Sequence, residues 1–247
     1  MKKIKNLKNI IFIFKNFNLF GYSALKNLIK LNIFPKLIIL PKFKSFDLRK
    51  NEYSNKFFND FKNKEPIEAL SNKYKIKVKR LVSINSKNSR KLLLKFKPEI
   101  IFIGGGWPEL MDKKIYKISK FGGINLHPSI LPNFRGGDIV RWQIKKNSKD
   151  FGVTFHKINS KFDFGSIILQ KKIKIKNKVP YLVSKRLALL SGNLINKLLN
   201  IDISVDIAVA NKKTPYYYKW NWLDKNFFEI KIEKLKNLNK LFLFIHA

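Results

Sequence analysis

The sequence predicts an α/β fold: a mostly parallel, twisted sheet with helices on both faces, plus a short C-terminal appendage. Three observations predict it. Short, nearly unbroken apolar runs recur along the chain, as in "NIIFIF", "KLIILP" and "EIIFI". Longer amphipathic stretches alternate with them. Two of the runs end in glycine-rich or turn-rich loops, "FIGGG" and "INLHP". Strands buried on both faces read as continuous apolar runs, and helices packed on both sides of a parallel sheet supply that burial. In such sheets ligands bind beyond the carboxyl ends of the strands.

The elements follow in order. "NIIFIF" (9–14) predicts a strand, "GYSALKNLIKLN" (21–32) a helix and "KLIILP" (36–41) a strand. Residues 42–56 read as a polar loop. "FFNDFKNKEPIEALSNKY" (57–74) reads as helical with a break near Pro66. "KVKRLVSI" (77–84) is a strand, "SRKLLLKF" (89–96) a helix, and "PEIIFIGGG" (98–106) a buried strand running into glycines. "PELMDKKIYKIS" (108–119) predicts a helix with Pro108 in its first turn, where its missing N–H costs nothing. "GGINLH" (122–127) is a strand and "DIVRWQIKKN" (138–147) a helix. "FGVTFHKI" (151–158) and "SIILQKKIKI" (166–175) are strands, and 180–199 is a long helix again opened by a proline. Beyond about residue 202 the alternation is lost. This sets a predicted catalytic domain over 1–202 and an aromatic, basic appendage over 203–247.

Composition narrows the function classes. The 247 residues suit one large domain with an appendage, and 45% hydrophobic content with 22 Phe is enough for a substantial core. The formal net charge is +36, yet only six of the 52 basic residues are Arg (49, 80, 90, 135, 141, 186). Bidentate phosphate or base recognition favours Arg, so the lysines are read chiefly as solvated surface. The absence of Cys excludes disulfides, Cys-ligated zinc and thiol catalysis. The start of the chain, "MKKIKNLKNIIFIFKNF", imitates a signal peptide, but its apolar run is five residues long before Lys15 interrupts it. A cytoplasmic protein that crosses no membrane is therefore expected.

The chemistry concentrates in "GGINLHPSILPNFRGG" (122–137). Asn125 and His127 are two apart at a strand end, so their side chains point the same way. An amide that donates a hydrogen bond beside an imidazole that moves a proton suits acyl chemistry. A histidine satisfying a turn and an asparagine capping the loop would leave the same letters. Asp163 precedes a strand, where its carboxylate could orient His127 or be an ordinary turn aspartate. Gly165, two residues on, would let the backbone pass close to a ligand. "GGGW" (104–107) is not a dinucleotide fingerprint, because Glu109 stands where the third glycine belongs. Gly105, Gly106 and Trp107 do place bare backbone amides at a strand end, useful for a flat heterocycle. "DFG" occurs without any other kinase element. His156, in "GVTFHKI", reads as a structural strand residue whose loss should cost little. With three scattered His and no Cys, no metal is expected.

Residues 122–170 resemble the core of the folate-dependent formyltransferases. That family carries N-x-H-x-S-L-L-P, then R-G, then G-V-T, then L-D-x-G, and all four elements occur here in order. The upstream α/β units are similar more loosely, from about residue 8. The resemblance implies 10-formyltetrahydrofolate as co-substrate and a primary amine as acceptor. It implies that Asn125 and a protonated His127 stabilise the oxyanion, while Asp163 holds His127 and a water that relays the proton. It also implies that the loop containing Leu131 and Pro132 walls the pterin slot.

The resemblance divides over the acceptor. The methionyl-tRNA enzymes add a second RNA-binding domain and a Gly-Thr-Pro loop after the first strand, where "FKNFNLFGYS" stands here. The glycinamide ribonucleotide enzymes carry a G-x-G-S-N loop that is missing. Trp142, the His of "GVTFH" and "TPYYYKW" (214–220) look more like the enzymes that formylate nucleotide-linked amino sugars. A sugar nucleotide is thus the expected partner, methionyl-tRNA or another small amine the alternative, and an idle basic nucleic-acid-binding protein the remote one. The oligomeric state is open, with a homodimer among the options.

Overall fold

The computed structural model describes residues 3–15, 18–42, 67–107, 109–202 and 215–217. The predicted 42–56 loop beyond Lys42, the first part of the 57–74 helix and most of the 203–247 appendage lie outside the described residues. The elements are β1 (Ile10–Ile13), α1 (Leu19–Lys30), β2 (Leu37–Pro41), α2 (Ile67–Lys73), β3 (Lys77–Leu81), α3 (Lys87–Phe96), β4 (Ile100–Ile103) and α4 (Lys113–Tyr116). They continue with β5 (Gly123–His127), β6 (Arg135–Gly136), α5 (Ile139–Lys145), β7 (Phe151–Lys157), β8 (Ile167–Ile173), α6 (Pro180–Asn200) and β9 (Tyr216–Tyr217). Among the described helices none is long and apolar enough to cross a membrane.

Seven strands form one sheet in the order β3-β2-β1-β4-β5-β7-β8. The strands β1 to β5 are parallel, and β7 and β8 return antiparallel. Strand order reverses between β1 and β4, so a crevice opens there at the carboxyl ends. Every residue of β1, β2 and β4 is buried, and the side chains alternate between two cores. Phe12, Phe102, Ile124 and Phe155 pack on one face with residues of α1 and α6. Ile11, Ile13, Ile101 and Ile103 pack on the other with Leu93 of α3 and Ile115 of α4. On the first face Phe12 stacks on Phe102 at 5.0 Å, and Phe102 meets Phe155 edge-on at 6.1 Å.

Local signals set the helix ends. The Asn18 side chain accepts the Gly21 N–H and opens α1, and Ser86 accepts the Ser89 N–H and opens α3. Pro180 occupies the first turn of α6 as expected. At the end of β4, Gly104 is required sterically: a Cβ there would lie 2.8 Å from the Gly21 Cα and from the Phe12 ring. That contact brings the start of α1 against the strand end.

Two elements differ from the sequence reading. The helix expected over 108–119 contracts to Lys113–Tyr116. Residues 109–112 are instead tied to the turn after β3. The Glu109 carboxylate accepts the Ile84 N–H, the Asn85 amide donates to the Leu110 carbonyl, and the Asp112 N–H donates to Asn85. Second, Arg135–Gly136 and Tyr216–Tyr217 pair as a two-stranded parallel sheet of their own. Gly136 permits it: with φ at 114°, any Cβ would run into the Tyr217 carbonyl. The described part of the predicted appendage therefore lies against the predicted catalytic domain.

Candidate active site

The site grows from the seam between β5 and β7. Ile124 and Leu126 of β5 and Val153 and Phe155 of β7 take the α1/α6 side. The alternate positions therefore face the other way. Register sets Asn125 opposite His156 and His127 opposite Thr154. Four polar side chains thus share one face at the end of an otherwise apolar sheet.

Asp163 joins them from the β7–β8 connection, where its backbone is left-handed (φ 51°). Its Oδ1 accepts from Asn125 Nδ2 at 3.1 Å and lies 3.4 Å from both His127 Nδ1 and His156 Nε2. Its Oδ2 accepts the Gly136 N–H at 2.9 Å. Burial alone would raise the Asp163 pKa. The neighbouring His127 charge, then the hydrogen bond and charge of His156 and the Gly136 N–H, outweigh it and hold the carboxyl below the usual carboxylate range.

His127 is 4% exposed. Its Nε2 lies 2.7 Å from the Phe134 carbonyl, which can only accept, so Nε2 carries a proton and Nδ1 faces Asp163. Burial pushes the His127 pKa below its ordinary value, against the opposing pull of Asp163 and the Phe134 carbonyl. The resting ring is neutral near pH 7, with Nδ1 as the proton-accepting atom. The protonated ring implied by the resemblance is thus a state the carboxylate favours and burial resists.

The loop after β5 is fixed along its length. The Ser129 hydroxyl donates to the carbonyls of Asn133 and Phe134. Thr154 Oγ1 donates to the Ser129 carbonyl and accepts the Leu131 N–H. Gln170 donates to the Leu131 carbonyl and to Thr154, and Gln143 donates to the Pro128 carbonyl. Leu131 is buried, and the Leu131–Pro132 peptide bond is cis. Phe134 stacks on Tyr217 at 5.2 Å, and Trp142 meets the same ring at 5.2 Å.

The remaining predicted residues fall in different places. Gly105 and Gly106 lie at the β4 end with φ of 103° and 71°. A Cβ on Gly105 would sit 3.7 Å from the Leu126 carbonyl, which places this turn beside β5. Trp107 is a core side chain packed with Ile103, Met111 and Ile115, and its Nε1 has no hydrogen-bond partner among the described residues. The close approach at Gly165 is to the Lys157 carbonyl of β7. His156, read from sequence as part of the strand framework, has its ring in the cluster, 3.1 Å from Asn125 Nδ2. Its signal was a polar residue on a strand whose alternate residues are core. What it faces depends on strand register, which the sequence does not carry.

The doubly wound sheet and the amide–imidazole–carboxylate cluster at its carboxyl edge define a Rossmann-like α/β class of enzyme. Within it, the chain belongs to the formyl transferase family, whose model matches residues 8–187. The bifunctional polymyxin resistance protein ArnA of Wigglesworthia glossinidia brevipalpis is 35% identical over 180 residues, covering 72% of this chain and 26% of that protein. A methionyl-tRNA formyltransferase of Ehrlichia canis is 30% identical over 158 residues, covering 63% of this chain and 52% of that one. The chain thus spans about half the length of the methionyl-tRNA formyltransferases it matches and about a quarter of ArnA. Among solved structures, a sugar N-formyltransferase from a Shewanella species superposes with a TM-score of 0.58 at 16% identity, covering 97% of this chain and 82% of that one. A phosphoribosylglycinamide formyltransferase from Bacillus halodurans gives 0.59 at 18% identity, covering 78% and 93%. At these identities the structural likeness concerns the fold.

Proposed function

We propose that the protein transfers a formyl group from 10-formyltetrahydrofolate to the primary amine of a nucleotide-linked amino sugar. The observation that carries formyl transfer is the convergence of Asn125, His127 and Asp163 on one buried cluster within a formyl transferase family chain. The donor set suits the chemistry. Charge that develops on the formyl oxygen needs an N–H donor, which Asn125 supplies. The attacking amine gives up a proton as its nitrogen bonds the formyl carbon, and His127 Nδ1 accepts it beside Asp163 Oδ1. The bond from that carbon to the donor nitrogen breaks, and the same proton returns to the leaving nitrogen. The folate itself supplies only the activated formyl group. The β4 turn at Gly105 and Gly106 and the loop at Leu131 and Pro132 flank the cluster and are the proposed folate contacts. Trp107 and Gly165 contribute through packing rather than through side-chain contact.

The amino-sugar assignment is supported by the aromatic wall of Phe134, Trp142 and Tyr217 beside the site. A flat base needs such a platform, and a diphosphate needs cations. The tail carries further aromatic and basic residues that suit these roles; of them Tyr216 and Tyr217 are described, and Tyr218, Trp220, Trp222, Lys212, Lys213 and Lys219 lie outside the described residues. Methionyl-tRNA is the second reading, favoured by the names of the curated relatives. Release of tetrahydrofolate, followed with nucleotide-linked 3- and 4-amino sugars, methionyl-tRNA and glycinamide ribonucleotide, separates them. Turnover with an amino sugar is expected. Turnover with methionyl-tRNA alone overturns the acceptor and keeps the chemistry, whereas no turnover with any acceptor overturns the function.

A further inference from the structure

We infer that His156 is a positioning residue that acts through the carboxamide of Asn125. The kinetic arm of its test rests on the formyl-transfer reading; the spectroscopic arm does not. His156 is 2% exposed and stands directly across the β5–β7 seam from Asn125. Its Nδ1 lies 2.9 Å from the Lys157 carbonyl. A carbonyl only accepts, so Nδ1 carries the ring proton and a neutral ring leaves Nε2 as an acceptor. That Nε2 receives Asn125 Nδ2 at 3.1 Å, and Asp163 Oδ1 receives the same nitrogen at 3.1 Å.

The two acceptors are 3.4 Å apart. A triangle with sides of 3.1, 3.1 and 3.4 Å has an angle of about 66° at Nδ2. The two hydrogens of a planar carboxamide diverge by about 120°, so the acceptors lie too close together for each to receive its own hydrogen in line. Each N–H is instead bent by about 27° toward its own acceptor, which a hydrogen bond tolerates. The carboxamide thereby bridges two acceptors that would otherwise repel. Asp163 alone would leave the carboxamide plane free to swing about a single contact. His156 supplies the second point that fixes it. This reverses the small effect that the sequence alone suggests for its loss.

The test compares wild type with His156→Phe and His156→Gln. In the free protein, the side-chain amide signals of Asn125, assigned by their loss in Asn125→Ala, are followed by two-dimensional NMR. The expected result is a well-separated pair in wild type, converging in His156→Phe and restored in His156→Gln, whose amide can again accept. In turnover, His156→Phe should lower kcat about tenfold or more with KM for both substrates within about twofold, since misplacing a donor costs rate rather than binding. His156→Gln should recover most of kcat. Unchanged Asn125 signals in His156→Phe overturn the inference, as does wild-type kcat in that variant. If His156→Phe does not fold, the same two readouts on His156→Ala decide, because a purely structural histidine predicts an altered melting temperature with unshifted Asn125 signals. Absence of turnover in wild type refutes the proposed function, and the NMR comparison still decides the role of His156.

Discussion

The central parallel strands β1 and β4 and the antiparallel seam of β5 and β7 are both buried and are built on opposite principles. In β1 and β4 every side chain is apolar and buried. In β5 and β7 alternate positions carry Asn125, His127, Thr154 and His156, of which all but the half-buried Asn125 are buried. An apolar strand needs only close packing to be stable. A polar row needs each donor and acceptor matched, since an unmatched buried polar group costs about 1–3 kcal/mol. The seam meets that demand with Asp163, the Phe134 and Lys157 carbonyls and the Ser129–Thr154–Gln170 network. The parallel half holds the fold, and the seam spends its hydrogen bonds on aligning a few polar atoms.

Substitutions should separate the two. The largest stability effect belongs to the parallel half. Phe102→Ala removes a ring packed between Phe12 and Phe155 and should cost about 3–5 kcal/mol in denaturant unfolding. Its kcat per folded molecule should stay near wild type; a large fall would mean that the halves are not independent. In the seam, Asn125→Ala, His127→Ala and Asp163→Ala should each lower kcat by about 10² or more with the fold retained, and the buried partners left unmatched should cost about 1–3 kcal/mol of stability. Near wild-type turnover in any one of them removes that residue from the mechanism.

Acid should act on the seam first. The folded His127 titrates below its ordinary 6.5 and the folded Asp163 below its ordinary 3.8. As pH falls past 6.5, the unfolded chain takes up a proton at position 127 that the folded chain refuses, and past 3.8 a second at position 163. Unfolding is favoured in both windows. Denaturant midpoints should therefore decline from about neutral pH downward, and Asp163→Asn should flatten the lower limb. A midpoint that rises toward pH 4 contradicts both shifts. The smallest effect is expected at the aromatic wall. Tyr217→Ala should cost about 0.5–1.5 kcal/mol of ring contact and raise KM for a sugar nucleotide. An unchanged KM would make Tyr217 a packing residue alone.

The parallel half was legible because a strand buried on both faces writes itself as an apolar run. "IIFI" at 10–13 and again at 100–103 needs no other context. The proximity of the proposed catalytic residues was partly legible through spacing: Asn125 and His127 share a strand face by parity alone. Other features depend on contacts between distant segments. The helix expected from Pro108 contracts because Glu109 reaches back to the Ile84 N–H. His156 could be placed on a strand but not opposite Asn125, because register across β5 and β7 is set by the whole sheet. The pairing of β6 with β9 involves two residues on each side, too few for any periodic signal.

That small pairing also has a consequence for the order in which the molecule is made. Arg135 and Gly136 leave the ribosome well before Tyr216 and Tyr217, which complete their two-stranded sheet. At about 5–20 residues per second, the loop that receives the His127 hydrogen bond waits several seconds for its outer strand. During that interval Phe134 and Trp142 have no Tyr217 ring to stack on, and the Gly137 N–H has no Tyr217 carbonyl to meet. A nascent chain halted before Tyr216 would carry Asn125, His127 and Asp163 in an otherwise finished sheet with the aromatic wall beside them still unbuilt. That wall is therefore completed after the sheet, at the moment a late segment pairs with an early one.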